Sequence, residues 1–397
     1  MDSLRHLANS LHIDYALTDE TAAHLEQWDA LVAATQERAL PHRWALAIQP
    51  SLRSATVAGS TGIEGNPLTA EDVADVLAGG NVGDRESQLE VVNYNEAMDV
   101  ATTLARRPDF SPEESNIQLL NALVTRGTPA DTHGIYRAEP VTVADFYVGP
   151  HHTVVPNLMR SLVVWWSASE DHPLIRSALL HLNVAAIHPW TDGNGRTARI
   201  LASLVMMRTD LRNPDVISLE PYFRANRSEY FDRIATTLGP TYAPDRHPAT
   251  EWIEYYVQTS IHRLLEASEL YADVRRDMAM LIEALTEADE PPEWAPLILA
   301  SSLYPVTTAA LSDFLGRSQP VVRRMLSVMA RAGWLEREGR TRGTRYVAGE
   351  RVTQLRTPGV LRDLSAGNIQ LRWDREPSWT AASDATETDL TLPATRP

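Results

Sequence analysis

The spacing of apolar residues along this chain predicts a mostly helical protein. Leu4, Leu7 and Leu11, then Leu25, Trp28 and Leu31, recur at helical intervals, so residues 1–49 are expected to hold two amphipathic helices with a break between them. Thr69-Ala70-Glu71-Asp72 reads as a capped helix start, with Val73, Val76 and Leu77 as its apolar face and Gly79-Gly80 as its stop. Further helices are expected over 88–104, from 111 to 123, over 159–166 and over 175–187, and two long ones over 252–270 and 271–285. Val141-Thr142-Val143 and Phe146-Tyr147-Val148 have strand composition around Ala144-Asp145 and predict a small hairpin. Residues 287–296, rich in proline and acid, read as a linker.

Beyond that stretch, residues 307–316 and 318–332 are expected as two short helices joined at Gly316, the second burying Val322, Met325, Leu326 and Met329. Trp334-Leu335-Glu336 and Thr344-Arg345-Tyr346-Val347 then flank the turn from Gly339 to Gly343 as two strands. Helix, turn, helix and a two-stranded wing resemble a winged-helix domain. Residues 307–346 carry eight Arg against three acids, an excess of +5. Arg323, Arg324, Ser327 and Arg331 lie off the buried stripe and could face a DNA major groove, with Arg340 and Arg342 near the backbone. Protein contact or dimer formation is the other use open to such a unit.

Composition narrows the chemistry. A chain of 397 residues has material for two or three domains, and 44% hydrophobic with 22% charged residues is globular. No apolar run is long enough for a bilayer and no signal pattern opens the chain, so the expected location is cytoplasmic, with no membrane partner. All 36 basic residues are Arg. That excludes a P-loop lysine, a kinase lysine and a Schiff base, and leaves Arg, backbone N–H or metal to grip any phosphate. Cysteine is absent, which removes disulfides and thiolate chemistry. A net charge of −16 argues against general polyanion binding, though not against local basic patches.

The densest chemistry lies in His188-Pro189-Trp190-Thr191-Asp192-Gly193-Asn194-Gly195-Arg196-Thr197-Ala198-Arg199, a loop between two predicted helices. Gly193 to Gly195 would present unpaired N–H groups at a helix start, an anion site. Arg196 and Arg199, three apart, share a helix face and offer guanidinium forks to phosphate. Asp192 is a hard oxygen ligand of the kind that holds Mg²⁺ against phosphates. His188 can take a proton from a hydroxyl near neutral pH. Together they suit phosphoryl or nucleotidyl transfer to a hydroxyl. His151-His152, read as strand neighbours, point to opposite faces and do not chelate together. His181, two turns from His188, is expected in the core or behind the site. Ser60 and Glu64 would share one face if their segment is helical.

The loop resembles the motif of the Fic (filamentation-induced-by-cAMP) domain family, His-Pro-Phe-x-Asp/Glu-Gly-Asn-Gly-Arg-x-x-Arg, departing only at Trp190, where Phe is usual. Ser60, Glu64 and Gly65 match the family's inhibitory motif, Ser/Thr-x-x-x-Glu-Gly/Asn. Gly134 to Arg137 resembles the segment before the family's flap, and the hairpin resembles the flap itself with a shorter turn. The resemblance spans roughly residues 50–235. It implies a mostly α fold, a Fic-type helical core with a small β-hairpin flap, followed here by the winged-helix unit. It implies transfer of AMP from ATP to a protein Ser, Thr or Tyr hydroxyl. His188 would be the base, Asp192 the Mg²⁺ ligand, Gly193, Asn194 and Gly195 the phosphate cradle, and Arg196 and Arg199 the grips on the β- and γ-phosphates. Asn194 would also fix the α-phosphate. Glu64, assisted by Ser60, would pair with Arg199 and inhibit. Tyr230 and Arg227 are candidates for the adenine end, with core burial as the alternative for Tyr230. The protein substrate would dock on the flap by strand addition. Two other functions stay open: a DNA-binding regulator whose core senses nucleotide, and removal of AMP with Glu64 aligning water. The expected layout is an N-terminal helical region over 1–105, the core over 106–240, connecting helices that could serve a homodimer over 241–290, the winged helix over 291–350, and a partly disordered tail over 351–397.

Overall fold

Small side chains let one helix run through the middle of the molecule. The computed structural model describes residues 7, 10–128, 133–144, 146–209, 211, 214–339 and 344–355. Helix α1 (Asp19–Glu37) is N-capped by Thr18, whose hydroxyl accepts from the Thr21 N–H. Helix α2 (His42–Ile63) follows, and every residue from Ser54 to Thr61 on it is buried. Its hydroxyls are satisfied within the helix where they face apolar neighbours: Ser54 donates to Pro50 O, Thr56 to Leu52 O and Thr61 to Val57 O. Glu64 is the C-cap residue of α2, so Ser60 and Glu64 fall on one face.

Helix α3 (Ala70–Leu77) opens with a reciprocal capping box between Thr69 and Asp72. Helices α4 (Arg85–Arg106) and α5 (Glu114–Val124) lead to a two-stranded hairpin, β1 (Thr142–Val143) and β2 (Tyr147–Val148), paired antiparallel with Val143 opposite Tyr147. The far edge of β2 is also occupied, since Val148 N donates to Pro240 O and Tyr242 N to Val148 O. Helices α6 (Val155–Ala168), α7 (Pro173–Ile187) and α8 (Asn194–Met207) then form the centre. Helix α7 is apolar nearly all round and buries twelve residues, which is why it lies inside the core rather than on a face. Helices α9 (Glu220–Ala225) and α10 (Arg227–Leu238) wrap the end of α2, and α11 (Thr250–Glu287) crosses the whole molecule.

The last described part holds α12 (Ala295–Leu303), β3 (Val306–Thr307), α13 (Thr308–Leu315), α14 (Gln319–Arg331), β4 (Leu335–Glu338), β5 (Arg345–Ala348) and α15 (Glu350–Gln354). The three strands lie in the order β3-β5-β4, all antiparallel. Two apolar clusters organise the chain. One joins α3 to α8 with the second half of α2 and the first half of α11. The other joins α12 to β5 with the second half of α11, with Leu40 just before α2 and with Ala47, Ile48 and Leu52 in its first half. Helix α2 therefore belongs to both.

Several expectations are corrected. Residues 10–18 form no helix. Their backbone is taken up by tertiary partners instead: His12 N donates to Asn183 Oδ1, and Asp14 O accepts from Ala249 N. The two long helices expected over 252–285 are one helix, because Leu264, Ala267, Tyr271, Val274, Met278, Leu281 and Leu285 continue a single buried stripe with no Gly or Pro to break it. The segment read as a linker is packed only at its end, where Trp294, Ala295 and Pro296 are buried at the start of α12, while 287–289, 292 and 293 are exposed. Phe146 lies outside the hairpin strands and is exposed. His151 and His152 enter a 3₁₀ turn, not a strand, with ring centroids 4.2 Å apart. Leu4, Asp145, Arg340, Arg342 and the tail from 356 lie outside the described residues.

Candidate active site

Helix α7 stops because His188 steps into the left-handed region, φ 48° and ψ 59°, and Pro189 follows. This conformation is uncommon for a residue with a side chain. The last carbonyls of a helix lack intrahelical donors; here Val184 O keeps the closing i+4 bond and the three after it find side-chain partners. Val184 O accepts from His188 N at 3.0 Å, and Ala185 O faces His188 Nδ1 at 3.4 Å. Ala186 O accepts from the Tyr147 hydroxyl at 2.7 Å, and Ile187 O from Arg137 Nη2 at 3.4 Å. A carbonyl only accepts, so the proton sits on His188 Nδ1 and the lone pair on Nε2. Burial pulls the His188 pKa down to about 4; the Ala185 bond opposes it, Arg137 adds to it, and Glu64 and Asp192 oppose it. The imidazole is therefore neutral at neutral pH.

Helix α8 begins on the other side of the loop. Gly193 is its N-cap at φ 77°, where an added Cβ would lie 2.7 Å from Thr125 Cγ2 and 2.9 Å from Asn121 Nδ2. The first intrahelical bond there is Thr197 N to Gly193 O, so the N–H groups of Asn194, Gly195 and Arg196 open the helix without intrahelical acceptors. Asn194 is turned back into the loop: Oδ1 accepts from Trp190 N at 3.0 Å and Nδ2 donates to Trp190 O at 2.9 Å. The side chain expected to hold an α-phosphate thus braces the loop, and what Asn194 offers to the cradle is its backbone N–H. Trp190 fills the core behind it.

The two arginines are buried and already paired. Arg196 donates to Asp192 Oδ1 at 2.8 Å and to Glu90 Oε1 at 3.3 Å. Arg199 donates from Nε to Ser60 Oγ at 2.8 Å and from Nη2 to Ser60 O at 3.0 Å and Glu64 Oε1 at 2.7 Å. Burial works against the Arg199 charge, and Glu64, Tyr230 and Tyr94 outweigh it, so its proton is held more tightly than usual. The Glu64 carboxylate rests on the start of α8, where a Cβ at Gly195 would collide with Oε1. A carboxylate from α2 thus lies in the anion cradle. Asp192 is the half-exposed carboxylate of the loop, its Oδ1 accepting also from Gly193 N at 2.6 Å. Among the described residues no three His, Asp or Glu gather to hold a metal by themselves. One half-exposed carboxylate beside the open start of a helix would fit Mg²⁺, which keeps waters and shares its ligands with phosphates.

Tyr230 is buried, stacked on Phe223 with centroids 4.6 Å apart, and its hydroxyl meets Arg199 Nη1 and His181 Nε2. It presents no face to a base, which corrects its candidacy for the adenine end. Arg227 is exposed, and its Nε donates to Ile63 O at the end of α2. His181 is buried behind the site, as its position on an apolar helix implies. The sequence reading missed Asn121, whose Nδ2 donates to Asp192 O and whose Oδ1 accepts from Gly134 N, and it missed Glu90. Arg137 carries no local mark of its contacts with Ile187 and His188, which lie 50 and 51 positions along the chain. A buried polar residue on an apolar helix face was the available signal for Asn121; nothing local marked Glu90.

Fold and site define a helical protein built around a loop between α7 and α8, with open N–H groups at the start of α8 and a buried histidine at the loop's edge. Residues 111–206 match the Fic/DOC family, which identifies a Fic domain over that part of the chain. It is 29% identical over 221 residues to protein adenylyltransferase fic-1 of Caenorhabditis elegans, covering 53% of this chain and 41% of that protein. It is 26% identical over 237 residues to protein adenylyltransferase Fic of Nematostella vectensis, covering 58% and 53%. The chain thus spans about half the length of these relatives or less. A solved Fic family protein of Desulfovibrio desulfuricans shares the fold at a TM-score of 0.55, with 23% identity over 85% of this chain and 98% of that one. No helix among the described residues is long and apolar enough to cross a membrane.

Proposed function

We propose that this protein transfers AMP from ATP to a hydroxyl of a protein Ser, Thr or Tyr, and that Glu64 holds the activity down. The observation that carries the reading is the carboxylate of Glu64 lying in the cradle on Arg199. The target oxygen attacks the α-phosphorus while His188 Nε2 takes its proton. The bond from that phosphorus to the α–β bridging oxygen breaks, and pyrophosphate leaves. The N–H groups of Asn194, Gly195 and Arg196 and the two guanidiniums meet charge that grows on the phosphate oxygens. Bound through Asp192, Mg²⁺ would neutralise phosphate charge. Positioning and charge neutralisation carry the rate.

Inhibition follows from exclusion. Arg199 cannot hold a γ-phosphate and Glu64 together. A charged hydrogen bond of this kind is worth on the order of 1.5–3 kcal/mol, enough to set back nucleotide binding by one to two powers of ten. The test is label transfer from α-labelled ATP. Glu64→Gly is expected to raise incorporation into protein, and adding His188→Ala to abolish it. A single variant no more active than wild type would overturn the inhibitory role.

A second reading concerns α14, whose Arg323, Arg324 and Arg331 all lie exposed on the side away from buried Val322, Leu326 and Met329. This arrangement favours the C-terminal elements as a winged helix on duplex DNA. Binding of the purified chain to random duplex should weaken with salt in proportion to phosphates contacted. No salt slope would leave the unit as a protein-contact or dimer module.

A further inference from the structure

Arg137 is a buried arginine whose partners are all main-chain carbonyls. Its side chain is almost wholly enclosed, 4% exposed. Nε donates to His188 O at 2.8 Å and Nη1 to Glu139 O at 2.7 Å. Nη2 donates to Pro150 O at 2.6 Å and to Ile187 O at 3.4 Å, and the Arg137 backbone N–H donates to Pro189 O at 2.9 Å. Glu139 and Pro150 stand just before and just after the β1–β2 hairpin, while Ile187, His188 and Pro189 are the end of α7 and the start of the loop. One planar fork therefore ties both feet of the hairpin to the backbone of the histidine. Tyr147, on β2, adds a second tie through Ala186 O.

The geometry needs this tie. His188 sits in a left-handed conformation that costs roughly 1–2 kcal/mol for a residue with a Cβ, and its carbonyl points away from any helix donor. A guanidinium is the one side chain able to serve carbonyls on both sides of such a junction from a rigid plane. We propose that Arg137 is a positioning residue that sets the hairpin and His188 in one frame, so that a hydroxyl presented along the hairpin meets the imidazole. This rests on the transfer reaction proposed above. Arg137 does not touch the phosphate cradle, whose contacts run through Glu64, Glu90, Ser60 and Asp192. Its effect on transfer is thus separable from nucleotide binding. Its charge also bears on the imidazole: of the charged groups facing His188, Arg137 disfavours protonation, while Glu64 on α2 and Asp192 in the loop favour it.

The test uses the full chain carrying Glu64→Gly, with Arg137→Met and Arg137→Lys added singly. Three quantities are read: label transfer from α-labelled ATP into lysate protein, ATP affinity by calorimetry, and the titration of His188 by NMR without nucleotide, assigned with His188→Gln. Arg137→Met should cut transfer about a hundredfold, the scale of a misplacement near 1 Å, with ATP affinity within about twofold and the His188 titration moved upward. Arg137→Lys, which keeps the charge and some of the bonds, should recover part of the rate and hold the titration near that of the parent. If Arg137→Met does not fold, Arg137→Lys carries the test, with transfer reduced and ATP affinity unchanged. Transfer at the parent's rate, or transfer and ATP affinity falling together in both variants, would overturn the positioning role. Should the Glu64→Gly parent transfer no label, the reaction proposed for the site fails; the His188 titration then decides the Arg137 tie by itself, an upward move in Arg137→Met supporting it and none overturning it.

Discussion

Glu64 and Gly195 share one space: the carboxylate of the first occupies the volume that a side chain on the second would need. Gly195 is helical, so its conformation would accept alanine, and the obstacle is the neighbour. With Glu64→Gly in place, Arg199 Nη1 at 3.1 Å is the close atom that remains. Gly195→Ala in that background should leave the fold intact and weaken ATP about tenfold or more, because backbone N–H groups can no longer approach phosphate closely. Calorimetry giving unchanged ATP affinity would contradict the cradle.

Nucleotide should stabilise the Glu64→Gly variant more than the wild type. Removing Glu64 leaves Arg199, 2% exposed, without its carboxylate, a state that costs stability. In the proposed binding mode a γ-phosphate would restore the charge partner, whereas in the wild type it would first have to displace Glu64. The rise in Tm on adding ATP and magnesium is therefore expected to be several degrees larger in the variant. Equal shifts would mean that Glu64 and nucleotide do not compete.

Ser60→Ala should destabilise the chain by about 1–3 kcal/mol, read from denaturant melts. Its hydroxyl is fully enclosed and accepts from Arg199 Nε, which no water can reach in its place. A loss under about 0.5 kcal/mol, the usual range for an exposed site, would show that Arg199 is held by Glu64 and the Ser60 carbonyl alone.

Acid should unfold this protein through its buried histidines. Burial pulls His181 down to about 3, with Arg199 adding to it, and pulls His12 down to about 4. Both fold neutral, and the unfolded chain takes up protons from about pH 6.5 downward. Their stability is thus complete above pH 6.5 and is lost as pH falls toward 4. Each group contributes at most about 1.4 kcal/mol per pH unit in that window. His181→Gln should lower stability at pH 7 and flatten its slope between pH 6.5 and 4.5. An unchanged slope would remove His181 from the account.

Much of this was legible because it is local. The capping box at Thr69, the hairpin and the helix-loop-helix around His188 to Arg199 each depend on residues within one or two turns of one another. So does the placement of Ser60 and Glu64 on one face. Helix propensity, a left-handed glycine and a run of anion-binding groups leave their mark at short range. Even the mistakes near the N-terminus have this origin: Leu7 and Leu11 carry a helical period, but the segment's hydrogen bonds go to Asn183 and Ala249, far along the chain.

By itself the sequence determined which groups could act: a histidine, a carboxylate, a glycine turn and two arginines, in a chain without lysine or cysteine to offer other routes. The tertiary structure alone decided their partners. It put Glu64 on Arg199 across 135 positions, Glu90 on Arg196 across 106, and Arg137 under the carbonyl of His188 across 51. It turned Asn194 into the loop and Tyr230 into the core. The reason is physical. A buried charge or carbonyl must find a partner wherever packing brings one within hydrogen-bond reach, and that distance is set by how helices cross, not by their order in the chain.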